Sequence, residues 1–131
     1  MNTTVSPTAS SAIRSFTDLV AWQKGHVVVI KIYAVTNSFP STETFGLVSQ
    51  LRRAAVSVTS NIAEGFRRQS WKEKAQFFSM SLGSLTEIEN QLLISKDVGF
   101  LGRDTYQDVL SSVEDASKVV RGLFTSTKAR T

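Results

Sequence analysis

The chain contains no cysteine. Disulfide scaffolds, thiolate zinc sites, thiol nucleophiles and cysteine-ligated clusters are therefore excluded. The same absence fits a reducing compartment. Only two prolines and seven glycines occur, and a β-rich chain punctuated by turns needs more of both. Long hydrophobic runs are also missing. The longest aliphatic stretch is Val27 to Ile30, far short of the ~20 residues that span a bilayer. The N-terminus has no apolar core segment of the secretory kind, so no signal peptide is expected.

What is present is ordinary for a globular domain. The 131 residues are 41% hydrophobic and 20% charged. A chain of that length buries about two thirds of its unfolded surface, enough for a real core. Residues 1–15, rich in Ser, Thr and Ala, lack periodicity and read as a disordered arm. Residues 16–125 carry the periodic pattern, and 126–131 read as a frayed tail.

Four amphipathic helices are expected. In the first, Leu19, Trp22, His26, Ile30 and Tyr33 recur at spacings of three and four, with Val20, Val27 and Ala34 alongside. Thr17 or Asp18 can cap it, and it should end near Asn37, because Pro40 excludes the α region for Phe39. The second should start at Ser41 or Thr42. Its core stripe is Leu47, Leu51, Ala54, Val58 and Ile62, flanked by Val48, Ala55 and Phe66, over ~38 Å at a helical rise. Ser70-Trp71-Lys72-Glu73 matches a capping box that opens the third helix. There Ala75, Phe78, Leu82, Leu85 and Leu92 share a face, and Gly99 suits a left-handed C-terminal position. The fourth runs from about Arg103 to Thr125 on Tyr106, Val109, Val113, Ala116, Val120 and Leu123. Short connections between four such helices predict an all-α, antiparallel up-down-up-down four-helix bundle.

The charge is local. Net charge is +4. Arg52, Arg53, Arg67, Arg68, Lys72 and Lys74 face only Glu64 and Glu73 within residues 52–74, an excess of four, and the remainder balances. Such a segment is a candidate footprint for phosphate or an acidic partner, or a set of helix ends and internal ion pairs.

Polar residues also break the apolar pattern. Gln50, Arg53, Ser57, Asn61, Glu64 and Arg68 line one stripe of the second helix, beside its core face. Glu73, Met80, Ser84, Glu87 and Gln91 line another on the third. Glu89 lies within the apolar face, where a carboxylate needs a partner. Arg52 or Arg53 is the expected donor. Two readings stay open: a network that sets helix register or a subunit interface, and a ligand site inside the bundle. Gly83-Ser84, mid-helix, suggests a close helix approach, within the bundle or across an oligomer interface, as does Gly46 near the start of the second helix; Gly25 in the first is only a weak hint.

Groups able to do chemistry are few. His26 is the single histidine, and its spacing from Trp22 and Ile30 predicts a core histidine. A ferritin-like di-metal site needs Glu-x-x-His pairs, and none occurs. No serine sits in G-x-S-x-G, and any triad would have to recruit His26. The carboxylate pairs Glu87/Glu89 and Glu114/Asp115 have the spacing of solvated helix faces. A non-enzymatic protein without metal or cofactor is expected.

A family resemblance rests on several motifs. They are Phe16-x-Asp18-Leu19-x-x-Trp22-Gln23-Lys24, Phe39-Pro40, Phe45-Gly46-Leu47-x-x-Gln50-Leu51-Arg52-Arg53-Ala54-Ala55 and Ser60-Asn61-Ile62-Ala63-Glu64-Gly65. Gly83-Ser84-Leu85-x-Glu87-x-Glu89-x-Gln91-Leu92-Leu93 and Gly99-Phe100-Leu101 complete them. Together they resemble the bacterial four-helix proteins encoded in intervening sequences of 23S rRNA genes, the S23 family, from about Phe16 to Leu101. Thr59 stands where that family often has proline, and Gly25 where it often has alanine.

The resemblance implies a small cytoplasmic protein that assembles as a ring-like homopentamer. It also implies kinship with the accessory proteins of diversity-generating retroelements, basic pentameric bundles that associate with nucleic acid and a reverse transcriptase. The expected function is therefore RNA or DNA binding through a basic surface at Arg67, Arg68, Lys72 and Lys74. The alternative is an adaptor for a protein partner, with Gln50, Arg52, Arg53, Asn61, Glu64, Ser84, Glu87, Glu89 and Gln91 serving as polar network or subunit interface.

Overall fold

The computed structural model describes residues 13–131, so the arm expected over residues 1–15 lies almost wholly outside the described part. Four α-helices make up the fold: α1 (Val20–Thr36), α2 (Ser49–Arg67), α3 (Trp71–Asp97) and α4 (Arg103–Lys128). No strand occurs among the described residues. α2 packs on α1 and α3, and α4 packs on α3 and α1. Each helix thus covers a flank of two neighbours.

Local chemistry sets most boundaries. A 3-10 turn at Phe16–Asp18 precedes α1. The Asp18 carboxylate accepts from the amides of Arg14 (2.9 Å) and Ser15 (3.0 Å). Those two bonds favour the charged form and hold its pKa below the ordinary 3.8. At the start of α3 the Ser70 hydroxyl accepts from the Glu73 amide at 3.1 Å, the serine half of the expected capping box. Gly99 takes φ of +87°, as its place after α3 requires. The second helix departs from expectation. Gly46 sits at φ −110°, ψ −110°, which divides the run into a 3-10 turn at Ser41–Glu43, a π-type turn at Thr44–Val48 and the regular α2. α2 therefore has 19 residues rather than the full run from Ser41.

The core is aliphatic. Val28, Ile32, Leu51, Val58, Ile62, Leu85, Ile88, Leu92, Val109, Val113 and Val120 have essentially no exposed surface. The stripes expected on the second, third and fourth helices supply most of it. α1 does not follow its expected stripe. Its buried positions are Ala21, Gly25, Val28, Ile32 and Thr36. Ile30 is 57% exposed, and Val20, Val27 and Tyr33 are exposed as well. His26 is likewise on the surface, stacked on Trp22 with ring centroids 4.7 Å apart.

α1 is apolar on both faces, so periodicity alone could not choose between them. Packing chose the face with the smaller residues. A Cβ on Gly25 would stand 3.1 Å from Val58 and 3.2 Å from Thr59 of α2, so the glycine permits a close approach. Gly83, the stronger candidate by sequence, has nothing within 4 Å of its Cβ position.

The fourth helix continues past Thr125 to Lys128, with Thr127 buried. The segment expected to fray is therefore helix for its first half.

Candidate nucleic-acid interface

The basic segment spans the junction between α2 and α3, where the chain reverses within three residues. Its four candidate cations fare differently. The Lys74 ammonium donates to the carbonyls of Phe66 (2.7 Å) and Gly65 (3.3 Å). It thereby satisfies orphan acceptors at the C-terminus of α2 and faces the negative end of its dipole. Arg68 pairs with Glu64 one turn earlier (Nη2 to Oε2 2.9 Å) and lies over the Phe77 ring at 4.6 Å. Arg67 and Lys72 are exposed and make no side-chain hydrogen bond or ion pair among the described residues. Lys74→Met should accordingly cost about 1 kcal/mol of stability, read as a lower urea midpoint, because two α2 carbonyls lose their donor.

The fold adds cations from the far end of the chain. The last turn of α4 lies beside the first turn of α3. Arg130 sits over the Trp71 ring at 4.6 Å. Lys128 and Lys72 line one groove of about 690 Å³, with Gln76, Ser79 and Phe124. Residues 67–74 hold four cations and one carboxylate, and residues 121–131 hold three cations and no acidic side chain. By contrast, residues 96–108 hold two cations and three carboxylates. Positive charge is therefore gathered where α2 ends, α3 begins and α4 ends. Lys128 and Arg130 fall in the segment expected to fray, whereas Arg121 lies inside the expected fourth helix.

The polar stripes face each other along α2 and α3. The Ser81 hydroxyl donates to the Val58 carbonyl at 2.9 Å, and Ser84 Oγ bonds Ser57 Oγ at 2.9 Å. Asn61 donates to the Ser57 carbonyl (2.9 Å) and hydroxyl (3.0 Å). Gln91 is 5% exposed, and its amide reaches Gln50 and Glu87 only at 3.5 Å. Its carbonyl oxygen is buried with no partner among the described residues. Arg53 lines a shallow groove with Gln50, Ser57, Glu87 and the fully solvated Phe45, which is 96% exposed.

The partner expected for Glu89 is corrected. Arg52 turns to α1 instead: its guanidinium donates to Thr36 Oγ1 (2.9 Å) and Asn37 Oδ1 (3.2 Å) and lies over the Tyr33 ring at 4.5 Å. Glu89 is half-buried and lines the groove between α3 and α4, shared with Lys118 and Arg121. The reason is helical phase. Ile88 and Leu92 point to the core, which places the intervening Glu89 on the flank towards α4 rather than α2.

Residues 17–122 match the sequence profile of the 23S rRNA-intervening sequence protein family. The chain belongs to this family. A crystal structure of an S23 ribosomal protein family member from Bacteroides thetaiotaomicron, itself of unknown function, is similar in fold. The two share 18% identity with a TM-score of 0.75, over 81% of this chain and 96% of that one. No curated protein matches the chain. No helix among the described residues is long and apolar enough to cross a membrane, and no three potential metal ligands cluster there.

Proposed function

We propose that this intervening-sequence protein is a non-enzymatic, homo-oligomeric, antiparallel up-down-up-down four-helix bundle of the cytoplasm. It binds RNA or DNA through a basic surface at the end where α2, α3 and α4 meet. The observation that carries this reading is the convergence of two unbalanced basic segments, with Lys72 and Lys128 exposed on one groove and Arg67 exposed at the end of α2, beside Arg14 and Phe16. Phosphate recognition needs unpaired cations presented together, and needs no catalytic constellation.

The antiparallel arrangement is supported by the pairings Ser81–Val58, Ser84–Ser57 and Gln91–Gln50, in which position rises along α3 as it falls along α2. Self-association is supported by the outer face of α1. Val20, Gln23, Val27, Ile30 and Ala34 are all exposed there at alternating spacings of three and four, the repeat of a helix-packing seam. An exposed apolar stripe on a helix whose other face is already buried is a candidate contact surface. A ring of five copies would carry five times the +4 of one chain and add avidity to weak individual contacts.

The test is binding of labelled generic RNA and DNA across a salt series, with light scattering to fix the assembly. Arg67→Gln/Lys72→Gln/Lys128→Gln should reduce affinity about a hundredfold at low salt and flatten the log–log salt slope by about two to three per protomer. An intact oligomer that binds neither polymer at low salt would overturn the reading.

The adaptor reading has its own support. Arg52, Arg68 and Lys74 are engaged within the chain, which leaves fewer free cations than the sequence promises. That reading would lead if nucleic acid failed to bind.

A further inference from the structure

We infer that Trp71 and Arg130 form a stacking platform for unpaired bases, so that the ligand class is single-stranded nucleic acid. This inference rests on the nucleic-acid reading above and deepens it.

Trp71 is the first residue of α3 and is 44% exposed, outside the core. Large indole rings are normally spent on burial. This one is instead presented at the most basic part of the molecule, with a guanidinium held at 4.6 Å from its centroid. The Arg–Trp pair is a cationic, π-bearing surface that offers bases a stacking partner and phosphates a charge. Beside it runs the groove lined by Lys72 and Lys128, with polar Gln76 and Ser79 and apolar Phe124. Charge for the backbone next to an aromatic face for the base is the combination that single-strand binders use.

Strand state separates this from a plain basic patch. A duplex keeps its base faces stacked on one another, out of reach of a surface indole, while offering a higher density of phosphate. A patch acting by charge alone therefore favours the duplex or shows no preference. A stacking platform favours the single strand.

The test uses the full chain carrying Trp22→Phe, which leaves Trp71 as the sole indole. It is titrated with oligothymidylate and, separately, with a mixed-sequence duplex of equal length. The expected result is quenching of indole fluorescence by the single strand, and single-strand affinity about tenfold above that for duplex. Trp71→Leu, with affinity read from the anisotropy of a labelled oligonucleotide, should lose about tenfold for the single strand with duplex affinity unchanged. Trp71→Phe keeps a π face and should recover most of the loss, with helical circular dichroism checking the fold of every variant. Equal affinity for the two ligands, insensitive to Trp71→Leu, would overturn the platform while nucleic-acid binding itself stood. Binding of neither ligand would overturn both readings.

Discussion

Gly65→Val should lower stability by about 3 kcal/mol, seen as a fall of about 10 °C in melting temperature. Gly65 is buried in the last turn of α2, facing α3. A Cβ there would stand 2.6 Å from Phe78 Cε1 and 3.1 Å from Phe77 Cβ. Phe78 is itself core, only 3% exposed, so its ring has nowhere to turn. The side chain must push the two helices apart along their most extensive contact. Gly83→Ala is the internal control. It is an exposed mid-helix glycine with nothing within 4 Å of its Cβ position, so it should gain up to about 1 kcal/mol from helix propensity alone. Thermal melts of the two variants should move in opposite directions. A stable Gly65→Val would mean that α2 and α3 do not approach as closely as described.

If the proposed assembly packs through the outer face of α1, Val27→Glu/Ile30→Glu should reduce it to single chains of 14.4 kDa without unfolding them. Both side chains lie on the outer face of α1, exposed to solvent in the isolated chain. Charging them removes no core contact, so stability of the single chain should change by no more than about 0.5 kcal/mol. In a helix-packed assembly the same two carboxylates would be buried against apolar neighbours with no partner, which costs several kcal/mol at each contact. Light scattering reads the mass, and circular dichroism confirms retained helix. An assembly that persists would place the subunit contact elsewhere, the groove between Phe45 and Glu87 being the next surface to alter.

The helices were legible because their signals are local. A serine three residues before a glutamate starts α3, Gly99 follows its end, and the Leu51–Ile62 and Val109–Val120 stripes each have a single apolar face. The break at Gly46 was less so. A lone glycine within an apolar stripe is compatible with a continuous helix, and the shape taken by residues 44–48 depends on Glu43 accepting from the Leu47 amide.

The site was legible only as composition. That residues 67–74 are basic follows from the sequence, but Lys74, Arg68 and Arg52 look no different there from Arg67 and Lys72. Their fates depend on what stands within a few ångströms: the α2 carbonyls, Glu64 with Phe77, and Thr36 with Asn37. Lys128 and Arg130 join the surface only because α4 ends beside Trp71, more than fifty residues away along the chain.

By itself, then, the sequence determined an all-helical chain of four helices, three of their buried faces, the family, and an excess of positive charge around the α2–α3 junction. Those properties follow from periodicity, capping and composition, which act over a turn or two. Tertiary structure decided which face of α1 turns inward, which glycines are contact points and which cations remain free. An α1 apolar on both sides offers similar hydrophobic gain either way, so the choice fell to shape, with Gly25 admitting α2 where a bulkier residue such as Trp22 or Ile30 could not.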